Sequence, residues 1–151
     1  MDANDSKQIF GSWDGGLPGA GDISIDALIE DWEGFGVLVR NHVTNGVVRI
    51  AFDTHLAYQS RDESDFIGEG QRSEGFGHGG YGSFYRVRNS EFIARYLGDS
   101  LRGYTSSEVT HFAIVTGDQC IDVIALTKPR IEDLKDGLMD MAERSFQRTK
   151  P

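Results

Sequence analysis

Three side chains of the types that nucleophilic catalysis uses, His111, Cys120 and Asp122, lie close together in the sequence. They flank a Gly-Asp pair at 117–118, which is typical of a two-residue β-hairpin loop. In that hairpin His111 lies opposite Ile124 and diagonal to Asp122, and Cys120 shares their face. The spacing therefore allows a His–Asp contact beside a thiol.

Two interpretations of this triplet remain open. In the catalytic one, His111, Asp122 and Cys120 are candidate catalytic residues. A thiol in the middle of a hairpin, however, lacks the helix N-terminus or cationic neighbour that usually lowers its pKa. Free cysteine is also a common core residue. We therefore favour the structural interpretation, in which a buried His111 is hydrogen-bonded to Asp122.

Other motifs for metal or nucleotide binding are incomplete. Asp53 and His55, together with His78 and His111, could supply metal ligands, but the sequence has no H-x-H, H-E-x-x-H or paired-cysteine motif. Residues 75–80 match G-x-G-x-x-G by spacing, yet the segment that follows is typical of a strand, whereas a dinucleotide site requires a helix there. We predict no metal site and no cofactor.

Charge favours a basic protein as partner. The formal net charge of the 151 residues is −9, and residues 1–36 hold eight acids against Lys7 alone. A negative surface disfavours nucleic acids and anionic membranes and steers basic partners toward it. The residues that we expect to contact such a partner are acidic or aromatic: Trp13, Asp62, Glu63, Asp65, Glu69, Phe76 and Tyr81.

Localisation is predicted to be cytoplasmic. The sequence has no apolar run near the 18 residues that a membrane-spanning helix needs, and its acidic start does not resemble a secretory signal. Cys120 is the single cysteine, so an intramolecular disulfide is excluded and a reducing compartment is the simplest setting.

The length and composition predict a single domain over residues 1–151. Within it, 1–22 is expected to be a flexible or loosely docked N-terminal arm, in which Trp13 either anchors the arm or belongs to a binding surface. Residues 59–83 are expected to form a long Gly-rich acidic loop, either functional or disordered.

Two hairpins and three helices are expected to form the fold. The hairpins span about 35–58, around an Asn45-Gly46 turn that places Val43 opposite Val48, and about 108–126. The helices span about 24–33, 90–98 and 130–147. The first is predicted from apolar residues at helical spacing: Ile25, Leu28, Ile29 and Trp32. This order predicts an α+β fold, with an antiparallel sheet built from the hairpins and the helices packed on it.

A family resemblance covers residues 84–132, on FYRVRNSEFIARYL and the later THFAIVTGDQCIDVIALTKPRIE. This stretch resembles a group of small, uncharacterised bacterial α+β proteins that share a strand-to-helix step, a helix and then a hairpin. Some of these proteins resemble immunity proteins of bacterial toxin systems, small acidic cytoplasmic partners that occlude a toxin. The resemblance implies a binding role and carries over no catalytic residue.

Three functional hypotheses follow. The first and favoured one is a non-catalytic, immunity-like binding module, which uses acids in 22–33 and 62–74 against a basic protein. The second is a small enzyme or ligand-binding domain with a site under the 68–82 loop, near His111 and Asp122; full burial of His111 with no cavity beside it would exclude this site. The third is a homo-oligomer that pairs through a sheet edge.

Overall fold

The computed structural model describes residues 7–13, 22–62, 68, 73–75 and 83–134, which contain nine strands and one helix. The elements are β1 Ile9–Ser12, β2 Ile23–Asp31, β3 Gly34–Asn41, β4 Val47–Phe52, β5 His55–Asp62, β6 Ser83–Arg88, α1 Glu91–Asp99, β7 Thr110–Val115, β8 Gln119–Ala125 and β9 Arg130–Leu134. Across these ranges, no helix has the length and apolar content needed to cross a membrane.

The strands form two antiparallel sheets. The larger sheet has the order β1-β6-β7-β8-β5, and the smaller sheet has the order β2-β3-β4-β9. The chain passes from the smaller to the larger sheet at the turn of residues 53–54, between β4 and β5, and returns between β8 and β9. Strands that are distant in sequence are therefore neighbours, as β5 and β8 show.

The main core lies between the two sheets, as in a β-sandwich. Phe52 of the smaller sheet and Phe112 of the larger meet across it, with ring centroids 5.7 Å apart. The buried side chains of this core are Ile23, Phe35, Val37, Val39, Ile50 and Phe52 from one sheet and Phe84, Phe112, Ile114, Ile121, Val123 and Ala125 from the other. Removing this apolar surface from water is the main driving force for the packing of the sheets.

The second predicted hairpin agrees with the structure in its register. His111 lies opposite Ile124, and the remaining pairs are Phe112 with Val123, Ala113 with Asp122, Ile114 with Ile121 and Val115 with Cys120. The turn is closed by Thr116, whose backbone N–H donates to the Gln119 carbonyl at 2.8 Å. Both faces of the hairpin are buried, as their apolar composition predicts.

The predicted α+β class is wrong, because the described chain is mostly antiparallel sheet with a single helix. The predicted helix 24–33 is strand β2. Its pairing with β3 shifts between Ile25 and Ala27, and this bulge brings Ile25 and Leu28 to the same core. A bulged strand thus reproduces the i, i+3 spacing of a helix.

The other two predicted helices have different outcomes. The helix at 90–98 is confirmed as α1, with Ser90 as its N-cap. The helix at 130–147 is wrong where it can be judged: residues 130–134 are strand β9, in which Ile131 pairs with Ile50. Residues 135–147 lie outside the described ranges.

The predicted hairpin 35–58 needs a correction of loop and extent. Val39, not Val43, lies opposite Val48. The loop is longer than two residues because the Asn41 side chain accepts hydrogen bonds from the N–H groups of Val43, at 2.8 Å, and Thr44, at 3.3 Å. Residues 55–58 belong to β5 and therefore to the other sheet.

Two segments that were expected to be irregular contain strands. Residues 9–12 of the predicted arm form β1, which pairs with β6. Residues 59–62 of the predicted loop complete β5, and Glu74 forms an isolated parallel bridge with Ile9. These pairings place β5 at one edge of the larger sheet and β1 at the other.

Candidate functional site

A buried polar cluster lies on the outer face of the larger sheet. His111 on β7 and Asp122 on β8 are joined there by Gln59 and Arg61 on β5 and by Ser90 at the start of α1. Gln59 pairs directly with Asp122 across the β5–β8 ladder, which places both side chains on one face. We call these five residues, with Cys120, the Asp122 cluster.

Asp122 is the centre of this cluster and has 0% exposure. Its carboxylate accepts hydrogen bonds from His111 Nε2 at 2.7 Å, Arg61 Nε at 2.8 Å and Gln59 Nε2 at 3.1 Å. Burial by itself would raise the pKa of Asp122, but the hydrogen bond and charge of His111, together with Arg61, outweigh it, so the pKa is lowered. The carboxylate is therefore an ionised acceptor at neutral pH.

His111 connects Asp122 to the helix. Its Nδ1 lies 2.7 Å from the Ser90 hydroxyl, which also accepts the N–H of Ile93 at 3.0 Å as the helix N-cap. Since the hydroxyl oxygen accepts from Ile93, its own proton is free to bond Nδ1, and the ring proton is then assigned to Nε2, facing Asp122. Both ring nitrogens of His111 thus have hydrogen-bond partners.

Cys120 is held as a thiol. Its Sγ lies 3.4 Å from Arg61 Nη2 and 3.7 Å from an Asp122 oxygen, and the residue is fully buried. Burial and the Asp122 charge raise the pKa of the thiol well above its ordinary value, although Arg61 acts in the opposite direction. Arg61 is thus a cationic neighbour, but burial and the Asp122 charge outweigh it, so the cysteine is not activated as a nucleophile.

The sequence identified part of the Asp122 cluster. It brought together His111, Asp122 and Cys120, and the His–Asp contact is present. It does not indicate Ser90 as a partner of His111, and it does not indicate Gln59 and Arg61 because its composition predicts a loop over 59–83. Gln59 and Arg61 are two positions apart in the sequence, and in a strand this spacing places both side chains on one face. That spacing is the sequence feature that could have indicated them.

A small polar cavity lies beside the cluster. Its volume is about 140 Å³, and it is lined by Gln8, Gln59, Arg61, Glu91, Phe92, Arg95 and His111. His111 is only 2% exposed. A cavity therefore lies beside the buried His111. A ligand site here would be excluded only if His111 were buried with no cavity beside it, and that is not the case.

The candidate metal ligands do not come together. Asp53 binds Arg130 through two hydrogen bonds of 2.8 and 2.9 Å, whereas His55 contacts Glu30 at 3.1 Å. Among the residues with described positions, no group of three His, Cys, Asp or Glu side chains could hold a metal ion. His78 lies outside the described ranges.

Two of the predicted partner-binding residues have described positions. Asp62 is exposed at the end of β5. Trp13 is partly buried against the main core, where its ring lies 6.1 Å from those of Phe84 and Phe112. This packing gives Trp13 an anchoring role. The others, Glu63, Asp65, Glu69, Phe76 and Tyr81, lie outside the described ranges.

The exposed tryptophan is Trp32, in the turn between β2 and β3. Its exposure is 82%, and it lies between Asp31 and Glu33. The preceding Glu30 bonds His55 and Tyr58, which lower the pKa of its carboxyl group. We call Glu30, Asp31, Trp32, Glu33 and Tyr58 the Trp32 surface. Sequence analysis assigned Trp32 to an apolar helix stripe and so missed its exposure.

Comparison with known proteins found no family model, no curated protein and no solved structure that matches this chain.

Proposed function

We propose that this chain is a binding module for a basic protein partner and that the Trp32 surface is its docking site. The observation that carries the proposal is the 82% exposure of Trp32 between two acidic side chains. Tryptophan is enriched among the residues that dominate interface energies, and a large apolar ring is costly to leave in water. A partner that covers Trp32 removes that cost.

The charges around Trp32 favour a cationic partner. Asp31 and Glu33 flank the ring, and Glu30 holds its negative charge because its pKa is lowered. A lysine or arginine of the partner can stack on the indole and pair with these carboxylates. The net charge of −9 adds long-range attraction, which salt screens.

Contacts with the core hold this surface at two points, which reduces the entropy lost on binding. Gly34, directly after the turn, has φ +133°, and a Cβ there would lie 2.7 Å from the Phe52 carbonyl oxygen. Tyr58 stacks on Phe35 with ring centroids 4.1 Å apart and an angle of 14° between the planes. The turn and its aromatic neighbour are thus both tied to the core.

The resemblance of residues 84–132 to small bacterial proteins with immunity-like members supports the same proposal. A small acidic cytoplasmic protein that occludes a basic toxin would use a surface of this chemistry. We accordingly extend the proposal to an immunity-like role in the cytoplasm.

The alternative is a small enzyme or ligand-binding domain at the Asp122 cluster, and its support is the cavity of about 140 Å³ beside His111. Two features weigh against nucleophilic chemistry there. The Cys120 thiol is held protonated, and both oxygens of Asp122 accept internal hydrogen bonds. The Trp32 surface therefore supports the binding module better.

The test is capture of partners from the native cytoplasm at low and high salt, with wild-type protein, Trp32→Ala and a double variant, Asp31→Lys with Glu33→Lys. We expect a basic protein that is retained by wild type at low salt, is released at high salt and is lost in both variants. Leu101→Ala is the matched control, because Leu101 is also fully exposed but lies after α1.

Charge reversal of Asp62, Glu63 and Asp65 separates the acids of the 62–74 segment from those of the Trp32 surface. A partner that is lost only when Asp62, Glu63 and Asp65 are reversed would move the docking site to 62–74. A partner that binds all variants equally, or that high salt does not release, would overturn the proposal.

A further inference from the structure

The outer face of the smaller sheet is buried, although the outer face of an antiparallel sandwich ordinarily meets water. Strand register places Leu38, Val47, Arg49 and Ala51 on this face, away from the main core. Their exposures are 0%, 2%, 8% and 1%, in that order. Leu134 of β9 pairs with Val47 on the same face and is also buried. A further layer must therefore lie over these side chains.

Arg49 shows the need for this layer most directly. Its side chain lies across Gly36 of β3, where Nε would be 2.8 Å from a Cβ at the glycine. A guanidinium in this position would be exposed if nothing lay above it. Its Nη1 donates to Glu132 Oε2 at 3.2 Å, whereas its Nε is buried and has no acceptor among the described residues. A buried N–H without an acceptor is costly, so we expect the covering layer to supply one.

The described elements do not provide this layer. The larger sheet packs on the opposite, inner face of the smaller sheet, where Phe52 meets Phe112. The helix α1 packs on the outside of the larger sheet, where its Ile93 clusters with Ile124. The cover must therefore come from a part of the chain outside the described ranges or from another molecule.

Connectivity distinguishes the segments outside the described ranges. Those between β5 and β6 begin and end in the larger sheet, and the Glu74 carbonyl in their midst accepts a hydrogen bond from β1 of that sheet at 2.7 Å. The residues before β1 also adjoin the larger sheet, and 14–21 contain one large apolar residue, Leu17. Residues 135–151, by contrast, continue directly from Leu134, which already lies on the buried outer face.

The composition of 135–151 matches both parts of this face. Its apolar residues can cover the aliphatic side chains of the sheet, and a carboxylate can accept from Arg49 Nε. The apolar residues are Leu138, Met139, Met141, Ala142 and Phe146, and the acids are Asp136, Asp140 and Glu143.

We propose that residues 135–151 fold back over the outer face of the smaller sheet and dock on Leu38, Val47 and Leu134, with one of their carboxylates directed at Arg49. This face is thus the docking surface for a segment of the same chain. It is separate from the Trp32 surface, so the two proposals can fail independently.

The test is a spin label on the full-length chain, attached through Gln147→Cys. Cys120 is fully buried, so the label should react with the new cysteine. Position 147 is far enough from Leu134 in sequence that connectivity alone does not hold it near the sheet. We expect the label to broaden the amide signals of β4 more than those of β8, because packed sheets lie about 10 Å apart.

The matched control carries the label at Leu101→Cys, an exposed position in the connection between α1 and β7. This label should broaden β7 and β8 more than β4. With the label at 147, equal broadening of both sheets, or none, would overturn the proposal. Broadening that appears only in isotope-labelled protein mixed with spin-labelled protein would assign the cover to a second copy of the chain and would also overturn it.

Substitution of apolar residues in the segment gives an independent readout. The triple variant Leu138→Gln, Met141→Gln and Phe146→Gln should increase the fluorescence of a dye that binds apolar surface and lower the Tm by about 5 °C or more. Val43→Gln with Leu101→Gln is the control, because these side chains are already exposed and neither readout should change. An unchanged triple variant would contradict the docking; if that variant fails to fold, the spin-label experiment still decides.

Discussion

His111 Nε2 and Asp122 Oδ1 lie 2.7 Å apart on adjacent strands, and both residues are buried. Asp122 also accepts a hydrogen bond from the guanidinium of Arg61, so one carboxylate connects β5, β7 and β8. His111 extends this connection to α1 through its hydrogen bond with Ser90.

Removal of Asp122 should destabilise the fold strongly. Asp122→Ala leaves the Arg61 charge and the His111 N–H without their acceptor, and breaking a buried pair in this way costs about 3–5 kcal/mol. Asp53→Ala is the matched control, because it breaks the exposed pair with Arg130, and such pairs contribute up to about 1 kcal/mol. Urea unfolding measures both; equal costs would contradict a central role for Asp122.

Stability should fall in acid through Asp122. Its pKa is lowered in the folded protein, so its contribution is present above the ordinary carboxyl pKa of about 3.9 and is lost as the pH falls through the folded value. The free energy of unfolding, measured by urea between about pH 6 and pH 2, should decrease most steeply below about pH 4. Asp122→Asn should show a shallower decrease, and an unchanged slope would assign the acid sensitivity to other carboxylates.

The two tryptophans should differ in accessibility to solvent. Trp32 is exposed, whereas Trp13 packs on Phe84 and Phe112. Acrylamide should therefore quench Trp13→Phe protein, in which only Trp32 emits, more strongly than Trp32→Phe protein. The reverse order would remove the structural basis of the Trp32 surface.

The turn that carries Trp32 should not tolerate a side chain at Gly34. In Gly34→Ala the new residue would have a positive φ of +133°, and its Cβ would lie 2.7 Å from a carbonyl oxygen. We therefore expect the free energy of unfolding to fall by about 1–3 kcal/mol. Gly98→Ala is the control, because no atom lies within 4 Å of its Cβ position and the residue lies in α1. There alanine should stabilise the protein by up to about 1 kcal/mol in thermal or urea unfolding. A tolerated alanine at Gly34 would contradict the turn geometry.

The sequence by itself determined the hairpin at 108–126 and its register. A Gly-Asp turn and alternating apolar faces are local properties, and together they pair residues that are close in sequence. The same local reasoning placed His111 beside Asp122 and predicted the helix that Ser90 caps.

Only the tertiary structure decided the role of residues 24–33, the extent of β5 and the completion of the Asp122 cluster. Apolar residues at helical spacing form a strand in β2 because a bulge shifts its pairing and because β3 lies alongside to accept it. Arg61 reaches Asp122 across 61 positions of sequence because β5 leaves the smaller sheet and pairs with β8. Such long-range pairing depends on the burial of all the strands together, and no local pattern encodes it.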